Sequence, residues 1–506
     1  LPAEIEFAGF RKRCTIKKRR IKNRGVPMDN NLEKELLNAA GKEKTVLASD
    51  NPYFDIGFDE NKKRLGWVKS APFFSIKESL SAIAGLLKDK ENFIFIGMGG
   101  SINGIKPLFT LFEKKGFYTL DNLDPEALLT VINQIDNLEK TLVISISKSG
   151  TTKETQLLSL AIKELFVDLY GGDSWSDKFL WLSDPDSFSK LDSLGWEKTK
   201  KISIQFDKNN DIGGRFSSPH TLIFLLPLFL LLNKDFDELE NVYISFISLQ
   251  NQIRENAYSS FRKYKNKQNA YFIPLLDKRA GESFSSWIVQ LFQESLGSKQ
   301  EGLPVKTLTG KDNKKGFSTL DMDIEIDNSV VALMSQMYFF QIFVAYYAAF
   351  KNINFVNQGF VEKYKQQMQE LEKGTKALQE ITTGKILNIA KLTEELIRPD
   401  HDFIEIILYF YPTGEIASQI QNEFQKYFKR RCVLTFVGSD WNHQSYQAAF
   451  GSKDTFYVLL LLPHYQNIIP GISSKTLSNN VRTLKIIAHA TYLTIKKMAT
   501  IAAVSI

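Results

Sequence analysis

Leu142-Val143-Ile144-Ser145-Ile146-Ser147-Lys148-Ser149-Gly150-Thr151-Thr152 is an apolar run that empties into five side chains able to donate to an anion by hydroxyl or ammonium. A run that is apolar nearly throughout reads as a strand buried on both faces, the kind a parallel sheet uses. The hydroxyl-rich turn behind it reads as a cradle for phosphate. A helix starting near Thr152 would aim its first-turn N–H groups, with their partial positive charge, at the same point. Its low net charge suits a monophosphate that must be bound and then released. The same residue types also build ordinary turns and helix caps, so the rest of the chain has to decide between the two.

Working outward, Phe93-Ile94-Phe95-Ile96, Phe179-Leu180-Trp181-Leu182 and residues 202–206 are further short apolar runs. Segments 102–113, 125–135 and 154–166 read as helices between them. This alternation predicts an open α/β sheet with right-handed crossovers, with ligands at the carboxyl ends of its strands. Upstream, residues 25–90 read as helices and loops, closing with a capping box at Ser75-Ile76-Lys77-Glu78 and a helix to Leu87. After a helical region over 216–266, a second series of runs at Tyr271-Phe272-Ile273, 404–409, 433–437 and 456–462 predicts a second α/β layer. Segments 361–379 and 385–396 read as charged amphipathic helices at the surface. The expected organisation is a basic, disordered tail (1–24), a helical segment (25–90), a first domain (91–250) and a second domain with C-terminal helices (251–506).

Composition excludes several classes. The net charge of +7 is accounted for by residues 1–24, where nine Lys/Arg face only Glu4 and Glu6. The body is therefore neutral, and no nucleic-acid surface is expected. Cys14 and Cys432 cannot build a disulfide framework, and His220, His401, His443, His464 and His489 stand far apart without metal-ligand spacing. A reducing, cytoplasmic setting without metal or cofactor follows as the expectation. No secretory leader is evident. The apolar stretches 221–232 and 330–350 read as core or interface helices rather than membrane spans, the first being short and interrupted by Pro227.

Four further clusters carry chemistry. Gly97-Met98-Gly99-Gly100-Ser101-Ile102 nearly spells a dinucleotide fingerprint, with Asp121 near the place of a ribose-binding acid, but Ile102 stands where a small residue is needed. What remains is a tight turn that brings backbone N–H groups and Ser101 to an anion. Gly213-Gly214-Arg215-Phe216-Ser217 sets one guanidinium behind two glycines. Gln290 and Glu294 are four apart on a largely apolar helix and face the same side, where a carboxyl pKa can rise toward that of a useful base. His443 follows an apolar run through a Gly438-Ser439-Asp440 turn.

Together these residues resemble the glucose-6-phosphate isomerase family, which is built from two sugar-isomerase (SIS) domains. Gly97 to Ser101 is similar to its GIGGS turn, Ser147 to Thr155 to its SKTFTTQET loop, and Gly213 to Ser217 to its GGRFS segment. Gln290 to Gly297 is similar to its Q-x3-E-S-x-G segment and Gly438 to Gln447 to its GTNGQHSFYQ segment. The late position of His443 resembles the isomerase portion of the transaldolase-fused type. The resemblance implies an α/β fold of two SIS-type doubly wound, mostly parallel sheets flanked by helices. It implies reversible isomerisation of glucose 6-phosphate and fructose 6-phosphate, by ring opening and proton transfer through a cis-enediol, in glycolysis and gluconeogenesis. Glu294 would be the base, His443 and Lys485 would open the ring, and Arg215 would stabilise the enediol oxygens. Ser101, Ser147, Lys148, Ser149 and Thr152 would hold the phosphate, with Gly99, Gly100 and Gln290 lining the sugar. Lys485 takes the place of the family's C-terminal lysine, whereas the glutamine expected seven residues earlier is Ser478. The implied partners are a sugar phosphate and a second copy of the chain, in a homodimer where the histidine reaches the neighbour's site and 330–350 supplies an apolar interface. A regulator that binds sugar phosphate without turnover is the alternative, and Glu294, Arg215 and His443 argue against it because binding alone needs none of them.

Overall fold

The computed structural model describes residues 31–297, 305–308, 316–357, 361–374, 382–383 and 397–505. The basic segment 1–24, with Cys14, and the expected helix at 385–396 lie outside the described residues.

The quoted run is the central strand of a five-stranded parallel sheet. Its strands are β1 (Asn92–Ile96), β2 (Phe117–Leu120), β3 (Thr141–Ile146), β4 (Phe179–Ser183) and β5 (Lys200–Ser203), in the order β2-β1-β3-β4-β5. Every residue of β1, β3 and β4 is buried, which is why the three read as continuous apolar runs. β2 is different: its four residues are mostly half-buried at the sheet edge, and no apolar run announces it. The strand order reverses between β1 and β3. Their carboxyl ends therefore flank a crevice from which connections leave in opposite directions, the place where open α/β sheets bind ligands. The expected helix after the cradle is α1 (Lys153–Tyr170).

Two further sheets follow, both parallel. β6 (Ala270–Pro274), β7 (Val305–Thr307) and β8 (Ser318–Leu320) form a small sheet in the order β8-β6-β7. β9 (Thr382–Thr383), β10 (Phe403–Leu408), β11 (Cys432–Val437), β12 (Thr455–Leu461) and β13 (Ile501–Ser505) form the third, in the order β9-β13-β12-β10-β11. The Tyr271 run thus does not open the second large sheet, because it pairs with β7 and β8 instead. The two large sheets repeat one topology, β11-β10-β12-β13 matching β2-β1-β3-β4. The class is α/β with two doubly wound parallel sheets, as the sequence implies, plus the small sheet between them in the chain.

The long helices are α2 (Phe236–Tyr264), α3 (Ser285–Leu296), α4 (Ser329–Lys351) and α5 (Ser474–Ile495). The division expected at residue 250 falls in the middle of α2, which packs along α4. α4 is long and apolar enough to cross a membrane, yet every residue from Val330 to Ala348 is buried inside the protein. That burial also removes it as a subunit interface, since the face it would offer a partner is already covered. Its polar Gln341 is satisfied locally, its amide donating to Ser218 O at 2.7 Å while its carbonyl oxygen meets His220 Nε2 at 2.9 Å. Burial pushes the His220 imidazole down to about 4, so it is a neutral core residue. The capping box at Ser75 does not form: the helix Phe73–Ser81 starts two residues earlier, behind Pro72, and leaves Ser75 inside its first turn.

The aromatic side chain of Phe343 ties α4 to the small sheet and to α3, with ring centroids 5.3 Å from Phe272 and 6.0 Å from Phe292. Replacing it by Ala should cost about 3–5 kcal/mol, the range for deleting a large buried ring. Urea denaturation of Phe343→Ala would measure this, and a loss under about 1 kcal/mol would mean the cavity collapses freely.

Candidate active site

The crevice between β1 and β3 gathers most of the residues singled out above. The turn after β1 holds Gly99 at φ +53, where an added Cβ would stand 2.9 Å from both Gln290 Nε2 and His443 Cβ. At Gly100 the added atom would sit 2.2 Å from the carbonyl carbon of Gly214 and 2.5 Å from Arg215 N. The two glycine-rich turns are therefore in backbone contact, and only glycine at 100 lets Arg215 come this close. Ile102 is fully buried in the core below the turn, and Asp121 receives the Lys106 ammonium at 2.6 Å, so neither belongs to a nucleotide site.

After β3 the cradle closes on itself. Ser147 Oγ donates to Thr152 Oγ1 at 2.9 Å, and Thr151 N–H donates to Ser149 Oγ at 3.2 Å. Gly150 turns the chain at φ +67 with Leu191 and Ser187 packed under it. Ser147 is buried, Thr152 is half-buried and Ser149 is exposed, so the hydroxyls grade from floor to rim. Thr152 holds the N-cap position of α1 without a side-chain capping bond, so the helix's first-turn N–H groups are left facing the same loop. Lys148 points elsewhere: its ammonium donates to Ile212 O and lies 3.9 Å from Asp184, with burial pushing its pKa down to about 8. It ties the cradle to the loop that carries Arg215.

Behind the glycine turns lies a buried ion pair. Arg215 Nη1 is 3.2 Å from Glu294 Oε1, the two side chains being 2% and 7% exposed. The guanidinium also donates through Nε to Ser295 Oγ at 2.7 Å and through Nη2 to Phe355 O. Gln290, one turn before Glu294 on α3, donates from Nε2 to Glu294 Oε2 at 2.9 Å and to His443 O at 2.8 Å. Burial raises the Glu294 pKa, and Arg215, the Gln290 amide and His443 hold back only part of that rise. The carboxyl is thereby a stronger base than a solvated glutamate, as its place on an apolar helix foreshadows.

His443 sits on the short helix Asp440–Gln444, which is anchored on three sides. Trp441 Nε1 donates to Glu405 at 3.1 Å, Asn442 Nδ2 donates to Thr491 on α5 at 2.7 Å, and Asp440 accepts from Asn103 at 3.1 Å. Glu405 itself is buried against Lys306. So held, His443 Nε2 meets Glu154 Oε1 at 3.0 Å, with the histidine side chain 23% exposed and the carboxylate 7%. Burial works to lower the histidine pKa, but Glu154 first, then Asp440 and Glu294, outweigh it and leave it raised. For Glu154 burial raises and the His443 hydrogen bond lowers, and the balance is a depressed pKa.

Glu154 is the residue that sequence reasoning passes over. It stands inside the quoted Ser147 to Thr155 motif, but its partner is 289 residues away and no local pattern assigns it a role. Within the chain itself His443 lies against the crevice, its backbone oxygen accepting from Gln290 Nε2 at 2.8 Å and its Cβ packed beside Gly99. Lys485 is not brought into this group. Its Nζ lies 5.2 Å from the Tyr465 ring centroid, beside a cavity shared with Ser478. Among the described residues no cluster of three or more His, Cys, Asp or Glu could hold a metal ion.

Comparison with known proteins agrees with the geometry. Residues 82–255 match the family model described as phosphoglucose isomerase, a span that contains the glycine turn, the cradle, Glu154 and Arg215. A glucose-6-phosphate isomerase of Thermus thermophilus is 35% identical over 140 residues, which is 27% of this chain and 32% of that protein. Its counterpart in Campylobacter jejuni is 30% identical over 262 residues, covering 49% of this chain and 61% of the relative. That of Methanocaldococcus jannaschii is 25% identical over 260 residues, covering 50% and 62%. The chain thus spans less than two thirds of the length of each of these relatives.

The pair His443–Glu154 makes stability depend on pH in a defined window. The raised histidine contributes fully below its unfolded value of 6.5 and fades as pH climbs through the folded value. The depressed glutamate contributes fully above its unfolded value of 4.5 and is lost as pH falls through its folded value. The stability deficit of His443→Gln should therefore be largest between pH 4.5 and 6.5 and shrink toward alkaline pH. Urea denaturation across a pH series tests this, and a deficit independent of pH would contradict the charged pair.

Proposed function

We propose that this chain, whose residues 82–255 match the phosphoglucose isomerase family model, interconverts glucose 6-phosphate and fructose 6-phosphate. The observation that carries this reading is the pairing, in one crevice beside a hydroxyl cradle, of a buried Glu294 held by Arg215 with a His443 held by Glu154. A sugar phosphate needs both proton-moving groups, one for the ring and one for carbon, and two centres are present.

In this reading the phosphate rests on Ser101, Ser147, Ser149 and Thr152 and on the first-turn N–H groups of α1. That remote binding orients the sugar and leaves the chemistry to the groups deeper in the crevice. His443, oriented by Glu154 and with its pKa raised by that carboxylate, gives a proton to the ring oxygen O5 and takes up the one that leaves the O1 hydroxyl, which breaks the C1–O5 bond, yields the open aldehyde and restores the histidine. Glu294 then takes the proton from C2. The electron pair moves into a C1–C2 double bond, O1 becomes negative, and the Arg215 guanidinium faces that charge. Proton transfer through the cis-enediol from O2 to O1, followed by return of the Glu294 proton to C1, leaves the ketone at C2 and restores every group. General-base catalysis of this kind contributes roughly 10²–10⁴-fold in rate. Lys485 takes no part in this sequence, since its ammonium stands with Tyr465 away from these atoms.

A coupled assay that follows glucose 6-phosphate formation from fructose 6-phosphate tests the reading directly. Glu294→Gln should lose at least ~10²-fold in turnover while a phosphorylated aldonate inhibitor binds within a few-fold of the parent, because the amide keeps the shape but accepts no proton. Exchange of the C2 proton with solvent should disappear in the same variant. Undiminished exchange would remove Glu294 from the role of base, and a parent protein with no isomerase activity would overturn the proposal.

A further inference from the structure

The loop after β12 and the first turns of α5 line an open, solvent-facing cavity of about 430 Å³ whose lining shares no residue with the crevice described above. Arg482, Lys485 and His464 line it, Ser478 adds a hydroxyl, and Leu477 and the Tyr465 ring form its apolar part. Its lining contains no carboxylate. Among the described residues, no carboxylate lies within ion-pair distance of Arg482 or Lys485. Tyr465 is fixed in place, its hydroxyl donating to Tyr409 O at 2.6 Å and accepting from Leu462 N–H at 3.2 Å. The Lys485 ammonium rests over that ring at 5.2 Å from its centroid.

The location carries as much weight as the composition. β12 neighbours β10 at the point where the order of the third sheet reverses, as β3 neighbours β1 in the first. The cavity lies at the carboxyl end of β12, ahead of the helix that follows, just as the Ser147 cradle lies at the carboxyl end of β3 ahead of α1. One chain therefore has two topological switch points, each with a concavity, and such crevices are where open α/β sheets take ligands. Cations gathered on one wall with no counter-charge repel one another, and an anion relieves that repulsion. A guanidinium fork beside an ammonium matches the oxygens of a phosphate. The cavity volume falls in the range of about 300–1,000 Å³ typical of small-molecule pockets, so the phosphate arrives on an organic group that can lie against Leu477 and Tyr465.

We propose that this cavity is a second anion site, which binds the phosphate monoester of a small metabolite independently of the Ser147 cradle, with Arg482 and Lys485 as its phosphate ligands. The assignment does not depend on the isomerase reading.

Equilibrium dialysis of the full chain with labelled 6-phosphogluconate tests it. The parent should bind two molecules per chain. Arg482→Gln with Lys485→Gln should lose one of them, its affinity falling by roughly tenfold or more, and Ser147→Ala with Thr152→Ala should lose the other. Arg482 is exposed and Lys485 half-exposed, so the first pair of changes leaves the core untouched, and unaltered thermal unfolding would confirm it. Unphosphorylated gluconate should displace neither molecule. One molecule per chain in the parent, or two in Arg482→Gln with Lys485→Gln, would overturn the site. Inorganic phosphate competing as tightly as 6-phosphogluconate would overturn the assignment to an organic ester.

Discussion

The ion pair between Arg215 and Glu294 is the constraint around which the crevice is arranged. Two charges removed from water to this degree are tolerated only when each is also hydrogen-bonded, and stripping one partner from such a pair costs about 3–5 kcal/mol. Ser295 and the Phe355 carbonyl complete the guanidinium, while the Gln290 amide completes the carboxylate. The same requirement explains the glycines. Arg215 can reach Glu294 only if its backbone lies against the turn after β1, and a side chain at position 100 would occupy the space of the Gly214 carbonyl. Glycine at position 100 is thus dictated by an electrostatic demand elsewhere in the crevice.

Gln290 extends that demand to His443. Its single amide group donates to Glu294 and to the backbone of His443, so the carboxylate and the histidine segment are positioned by one side chain. Asn103, Trp441 and Asn442 hold the remaining sides of the Asp440–Gln444 helix. Through Trp441 the hold extends to Glu405 on β10 and to its buried partner Lys306 on β7, which is how the small sheet and the third sheet bear on a site opened by the first.

Much of this was legible in the chain. β1, β3 and β4 announce themselves because strands buried on both faces have no polar alternation to obscure them, and the glycine turns do so because close backbone approach admits few residue types. Gln290 and Glu294 share a helix face, so their proximity follows from spacing alone. What escaped is what depends on distant partners or on edges. β2 is a short, half-buried edge strand, the Tyr271 run could pair with either of two sheets, and α4 is buried so completely that sequence cannot tell its core role from an interface. Glu154 carries no local mark, since its meaning is supplied by His443. Lys485 stands at a plausible place in the chain, but the rotation of α5 turns its ammonium toward Tyr465.

The 289 residues that separate Glu154 from His443 bear on how the protein is made. On the ribosome the first sheet, the cradle and Arg215 can assemble while the third sheet is still unsynthesised, and domains commonly fold in that order. A nascent chain of this kind carries the cradle and Arg215 before Glu294 and His443 are made, so neither buried pair of the crevice is yet closed. Long-range closure of this sort is slow because loop entropy is paid before the contacts form. The crevice is thus closed only after the helix Asp440–Gln444 has been made, late in the order in which its parts emerge.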